Sequence, residues 1–138
     1  MKTTKIISKK APAPVGAYPH ARRTGNLLFL SGIGPRVKGS SKIPGVELDS
    51  IGNIISYNIE EQCHSVFKNV RTVLEEAGSC WENLVDVTVF LTNIKKDFKT
   101  YNRIYAEYFK DNQPCRTTVE VNRLPTPIAI ELKCVAVV

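Results

Sequence analysis

Apolar and small side chains recur at positions 59, 63, 66, 67, 70, 73, 74 and 77. That is the spacing of one helix face, so the pattern predicts a helix over 59–77. Asn58, with Glu61 three residues on, makes a weak capping box, and Gly78 supplies the stop. Val85, Val87, Val89 and Leu91 then alternate with Asp86, Thr88, Phe90 and Thr92, a strand with one firmly apolar face. A second helix is predicted over 98–109, with Phe98, Tyr101, Ile104, Tyr105, Tyr108 and Phe109 on one side and the run Asp111-Asn112-Gln113-Pro114 ending it. Residues 116–122 alternate again, placing Arg116, Thr118, Glu120 and Asn122 opposite Thr117, Val119 and Val121. After the break Leu124-Pro125-Thr126-Pro127, a last strand over 128–138 sets Ile128, Ile130, Leu132 and Cys134 against Ala129, Glu131, Lys133 and Val135.

The first third is less regular. Prolines at 12, 14 and 19 forbid a helix over 11–19, leaving an ordered loop or edge segment. Residues 26–31 read as a buried strand closed by Gly32 and Gly34. Residues 33–57 read as a long loop with a short hairpin, turning at Gly45 and at Gly52-Asn53. Two helices among several strands predict an α+β fold in one domain spanning 1–138, with both helices on one face of the sheet. The other face is expected to carry Ser31, Thr88, Phe90, Thr92, Arg116, Thr118, Glu120 and Glu131. That mixture suits a subunit interface with polar pockets in it.

Composition narrows the possibilities. At 43% hydrophobic and 23% charged residues the chain has the make-up of an ordinary soluble globular protein. Its apolar runs are too short to span a bilayer, and residues 1–10 lack the apolar core of a signal peptide. A cytoplasmic location is the default. The four cysteines are irregularly spaced and only two histidines accompany them, so neither a metal site nor a disulfide framework is expected. The net charge of +6 favours anionic small molecules, and no nucleic-acid motif accompanies it.

Arg116, right after Pro114-Cys115, offers the two parallel donors that hold a carboxylate; on pattern alone an edge arginine paired with a neighbouring glutamate is the commoner arrangement. Glu131, inside an apolar strand, needs either a partner or a proton, which fits general acid–base work or a structural bridge to Arg116. Tyr18, His20, Arg22 and Arg23 cluster in one stretch, and Arg36 follows Gly34-Pro35. These residues either close over an anion or form a basic surface loop. Ser31-Gly32 ends a strand, where a hydroxyl and a bare N–H can meet a ligand. No catalytic triad and no phosphate loop is present.

At these residues the chain resembles the RidA/YjgF family of reactive-intermediate deaminases, over about 12–138. The resemblance rests on Gly16-Ala17-Tyr18, Leu30-Ser31-Gly32, Asn69-Val70 with Ala77-Gly78, and Val87-Thr88-Val89-Phe90. It continues through Asn102, Tyr105 and Phe109 to Pro114-Cys115-Arg116-Thr117-Thr118-Val119-Glu120-Val121, Leu124-Pro125 and Ile130-Glu131. The resemblance implies a chorismate-mutase-like α+β fold, a homotrimer with sites between subunits, and hydrolysis of an enamine or imine carboxylate without cofactor. It implies that Arg116 binds the substrate α-carboxylate, that Glu131 positions water, and that Tyr18, Ser31, Gly32 and Asn102 line the pocket. Thr118 stands where many general imine deaminases have cysteine. That departure, the long 33–57 segment and the stretches around His20-Ala21-Arg22-Arg23, Gly34-Pro35-Arg36 and Pro44-Gly45-Val46-Glu47 are similar to the 2-aminomuconate deaminase branch. Its dicarboxylate substrate asks for a second cation, Arg22, Arg23 or Arg36. The alternatives are a general deaminase of 2-iminopropanoate and 2-aminoacrylate, and a non-catalytic ligand- or RNA-binding trimer.

Overall fold

A computed structural model of the chain describes residues 2–138. Six strands form one sheet: β1 (Thr3–Ile6), β2 (Ala21–Thr24), β3 (Leu27–Leu30), β6 (Leu84–Leu91), β7 (Cys115–Glu120) and β8 (Ile130–Val137). A separate hairpin joins β4 (Val46–Leu48) to β5 (Ile54–Tyr57). The sheet order is β1-β2-β3-β8-β6-β7, antiparallel except where β7 runs parallel to β6. Helices α1 (Ile59–Glu76) and α2 (Ile94–Phe109) contribute their apolar faces to one hydrophobic core with the sheet. The expected α+β arrangement stands.

β8 is paired on both sides and alternates strictly. Ile130, Leu132, Cys134 and Ala136 are fully buried on the helix side, so Glu131 and Lys133 must point to the open face. That burial pushes the Cys134 thiol up to about 12, making it a packing group rather than a nucleophile. The ends of α1 are formed as the sequence predicts. Asn58 accepts from the Glu61 N–H, and Gly78 (φ 82°) supports a Schellman closure in which Ser79 N–H donates to Leu74 C=O.

The structure corrects four readings. β1 and β2 are strands, although their lysines and arginines suggested tail and loop. Both are short and mostly polar, which hides them from hydrophobic patterning; β1 forms the edge of the sheet, where that composition blunts edge-to-edge pairing, and β2 is paired on both sides. α2 begins at Ile94 rather than 98; Asn93 caps it by accepting from the Lys96 N–H, and its charged first turn resembled a loop. Val85 does not share the face of Val87, because the register with β8 shifts between Leu84 and Asp86. Leu84 is buried there and Val85 is exposed. Finally, Arg116, Thr118 and Glu120 do not lie on the open face. They are paired with Val87, Val89 and Leu91 and project to the helix side.

Within α1 a polar stripe interrupts the apolar face. Gln62 is completely buried, donating to Pro44 C=O and accepting from the Ala129 N–H. It joins the base of the β4–β5 hairpin to the segment leading into β8. Replacing it by leucine strands a half-buried carbonyl and a buried amide, so Gln62→Leu is expected to cost about 2 kcal/mol, measured by urea unfolding; a variant as stable as the parent would remove Gln62 from this role.

Candidate active site

The candidate residues fall into two groups on opposite faces of the sheet. The first surrounds Glu131 on the open face, in a cleft lined by Tyr18, Ser31, Gly32, Arg36 and Thr126. Each wall has a local cause. Tyr18 folds back over Gly16, where a β-carbon would lie 3.3 Å from the ring, and its hydroxyl accepts from the Val15 N–H at 3.2 Å. Ser31 donates its hydroxyl to Pro19 C=O at 2.7 Å, tying the end of β3 to the Tyr18 segment. Gly32 is bare for a steric reason: a β-carbon there would sit 2.7 Å from Oε2 of Glu131.

The proline-rich segment behind Tyr18 is fixed by two side chains. His20 is buried; Nδ1 accepts from the Ser8 N–H at 3.0 Å and Nε2 faces Pro12 C=O at 2.8 Å. These partners assign the neutral tautomer with hydrogen on Nε2. Glu76, at the end of α1, accepts from the Ser8 hydroxyl and from the N–H groups of Lys9 and Lys10. Those bonds hold its carboxyl below the usual carboxylate value.

Glu131 itself is raised above the usual 4.5 by burial, and the Arg36 charge opposes that rise. Arg36 donates through Nη2 to Ala13 C=O at 2.9 Å, leaving the rest of its fork for the cleft. The other two cations lie elsewhere. Arg22 donates to Thr3 on the edge strand and Arg23 to Gly25 C=O; neither lines the cleft. Lys133, unremarked in the sequence, does, and donates to Leu30 C=O.

The second group is on the helix side. The Arg116 guanidinium lies over the rings of Tyr105 (4.7 Å) and Tyr101 (5.5 Å) and donates through Nη1 to Asn102 Oδ1 at 2.8 Å. Thr118 and Tyr101 share a hydrogen bond of 2.8 Å between their hydroxyls. This seat explains the inverted edge strand. Aromatic faces and a buried hydroxyl satisfy polar side chains where valine was expected, and Val119 turns outward. The seat was legible as two tyrosines at i and i+4 on α2, read at first as core alone. Arg116 remains exposed, with donors free for an anion. The structural Arg116–Glu131 bridge is excluded, since the two residues leave the sheet on opposite faces.

Among the described residues no cluster of three or more His, Cys, Asp and Glu is placed to hold a metal, and no helix is long and apolar enough to cross a membrane.

Residues 8–138 match the family model described as Endoribonuclease L-PSP. A RutC family protein of Aquifex aeolicus is 42% identical over 135 residues, covering 96% of this chain and 97% of the relative. The chloroplastic Reactive Intermediate Deaminase A of Arabidopsis thaliana is 36% identical over 131 residues, covering 95% of this chain and 64% of the relative. Among solved structures, E. coli TdcF with bound serine superposes with a TM-score of 0.83 at 27% identity, covering 98% of each chain. With a family model matched from Ser8 to the last residue and the Aquifex relative alike along nearly its whole length, the chain belongs to the RidA/YjgF family.

Proposed function

We propose that the protein is a cofactor-free deaminase of an enamine or imine carboxylate, with 2-aminomuconate as the favoured substrate, acting as a homotrimer. The observation that carries this reading is the pair of half-sites: a free arginine fork on a rigid aromatic seat, and a desolvated carboxylate in a cleft with a second arginine. One chain cannot bring both to a single ligand. A second copy, presenting its Arg116 edge to the Glu131 cleft, completes the site, and the partly apolar open face with Leu27, Phe29 and Val119 suits such contact. The name of the Arabidopsis relative supports deamination of a reactive intermediate, and the serine bound to TdcF supports a ligand of amino-acid type.

In this mechanism the enamine takes a proton at carbon and becomes the 2-imino acid. Arg116 holds the α-carboxylate and draws electron density from C2. Glu131 orients a water and takes its proton as oxygen attacks C2. That proton passes to nitrogen to give the carbinolamine; the remaining hydroxyl proton then moves, through Glu131, to nitrogen as the C–N bond breaks and the C=O bond forms, releasing ammonia and a 2-oxo acid. Positioning and charge stabilisation supply the acceleration. Arg36, beside Glu131, meets the distal carboxylate of a dicarboxylate substrate; Arg22 and Arg23 have other partners. A general deaminase of 2-iminopropanoate is the second reading, and Arg36 is the feature that argues against it.

Ammonia release from 2-aminomuconate and from 2-iminopropanoate, assayed side by side, tests the assignment; preference for the small imine overturns the dicarboxylate reading. Arg116→Ala and Glu131→Gln are each expected to lower kcat/KM at least 100-fold. Mixing the two inactive variants and allowing subunits to exchange should restore activity, because some clefts then combine an intact Arg116 with an intact Glu131. No recovery would place both residues in one chain's site.

The pH profile provides a separate check. Glu131 must be ionised to accept a proton from water, so activity falls as pH drops through its raised pKa. Removing the Arg36 charge, which holds that pKa down, should move the acidic limb to higher pH in Arg36→Gln. A shift to lower pH, or none, would separate the two groups.

A further inference from the structure

We infer that Asn69 is a positioning residue for substrate selection: from α1 it clamps the loop that presents Arg36, and thereby sets the preference for a second carboxylate. The inference rests on the reading of Arg36 as the distal anion receptor. Its basis is a run of three backbone carbonyls. Gly34, Pro35 and Arg36 precede no helix and lie outside the named strands, so their C=O groups need partners from elsewhere. α1 supplies all three. Asn69 donates its amide to Gly34 C=O at 2.9 Å and to Arg36 C=O at 2.6 Å, and Ser65 donates its hydroxyl to Pro35 C=O at 2.7 Å.

Ser65 and Asn69 are one helical turn apart and continue the stripe begun by Gln62. Asn69 is only 9% exposed, and both its amide hydrogens are committed to the loop. One end of this loop also packs closely against the core segment before β8, since a β-carbon at Gly34 would lie 2.8 Å from Cδ1 of Ile128. Arg36 is thus fixed at its backbone by α1 and at its guanidinium by Ala13 C=O. A long, rotamer-rich side chain held at both ends loses little further freedom on meeting an anion, which is how a cation discriminates by position rather than by charge alone. Asn69 touches no ligand and acts through Arg36.

The experiment compares binding of adipate and hexanoate, unreactive acids of equal length with two carboxylates and one, by calorimetry on the assembled protein. The wild type should prefer adipate by about tenfold or more. Arg36→Gln should abolish the preference. Asn69→Asp, which keeps the shape but cannot donate from its ionised carboxylate, should reduce it several-fold while leaving hexanoate binding unchanged. In the Arg36→Gln background Asn69→Asp should have no further effect on the ratio. Ser65→Ala, a milder lesion, should give an intermediate preference and serves if Asn69 variants do not fold. Equal weakening of both acids, an effect that persists without Arg36, or a wild type without preference each overturns the proposal. Ammonia release is measured separately: an adipate preference governed by Asn69 in a protein that releases no ammonia would sink the deaminase reading and leave the clamp standing.

Discussion

The strict alternation of β8 is the constraint on which the rest depends. Its inward residues are sealed beneath two helices, so its outward ones have no choice of face. Glu131 is therefore held on a rigid strand, desolvated by the surrounding walls, with Gly32 kept bare to make room for it. A carboxylate in that position keeps its reactivity because the packing on the opposite side of the same strand fixes its location. β6 inherits the same order by pairing with β8, and β7 by pairing with β6.

At β7 the order produces an inversion that hydrophobic patterning cannot anticipate. Periodicity correctly grouped Arg116 with Thr118 and Glu120, because parity along a strand is a geometric certainty. It placed the group on the wrong face, because the rule that valine goes inward assumes an apolar layer beneath the strand. Here the layer is made of tyrosines, whose faces receive a guanidinium and whose hydroxyl receives Thr118. The consequence is that Arg116 and Glu131 leave the sheet in opposite directions.

α1 was legible with both its caps, α2 without its charged first turn and its Asn93 cap, and so were the hairpin and the last strand. The short charged strands β1 and β2 were not, since four residues of which three are polar carry no pattern. Of the site, Arg116, Glu131, Tyr18 and the Ser31-Gly32 turn were visible as unusual residues at strand ends or within apolar runs. Arg36 was visible only as one of three equivalent cations, and three-dimensional placement separated it from Arg22 and Arg23. Asn69 stood in plain sight as a polar residue in an apolar helix. Its meaning lies in contacts more than thirty residues away, which no local spacing reveals.

The loop after Arg36 is tied to α1 at two places, near residues 34–36 and again at Pro44. Between them the bonds are short-range, Ser40 N–H to Val37 C=O and Lys42 N–H to the Ser40 hydroxyl. A segment anchored at both ends and bonded only to itself can change length at little cost to either anchor. Residues 38–42 are thus open to insertion, and a tag, a recognition peptide or a new loop can be grafted there while both ties to α1 stay in place.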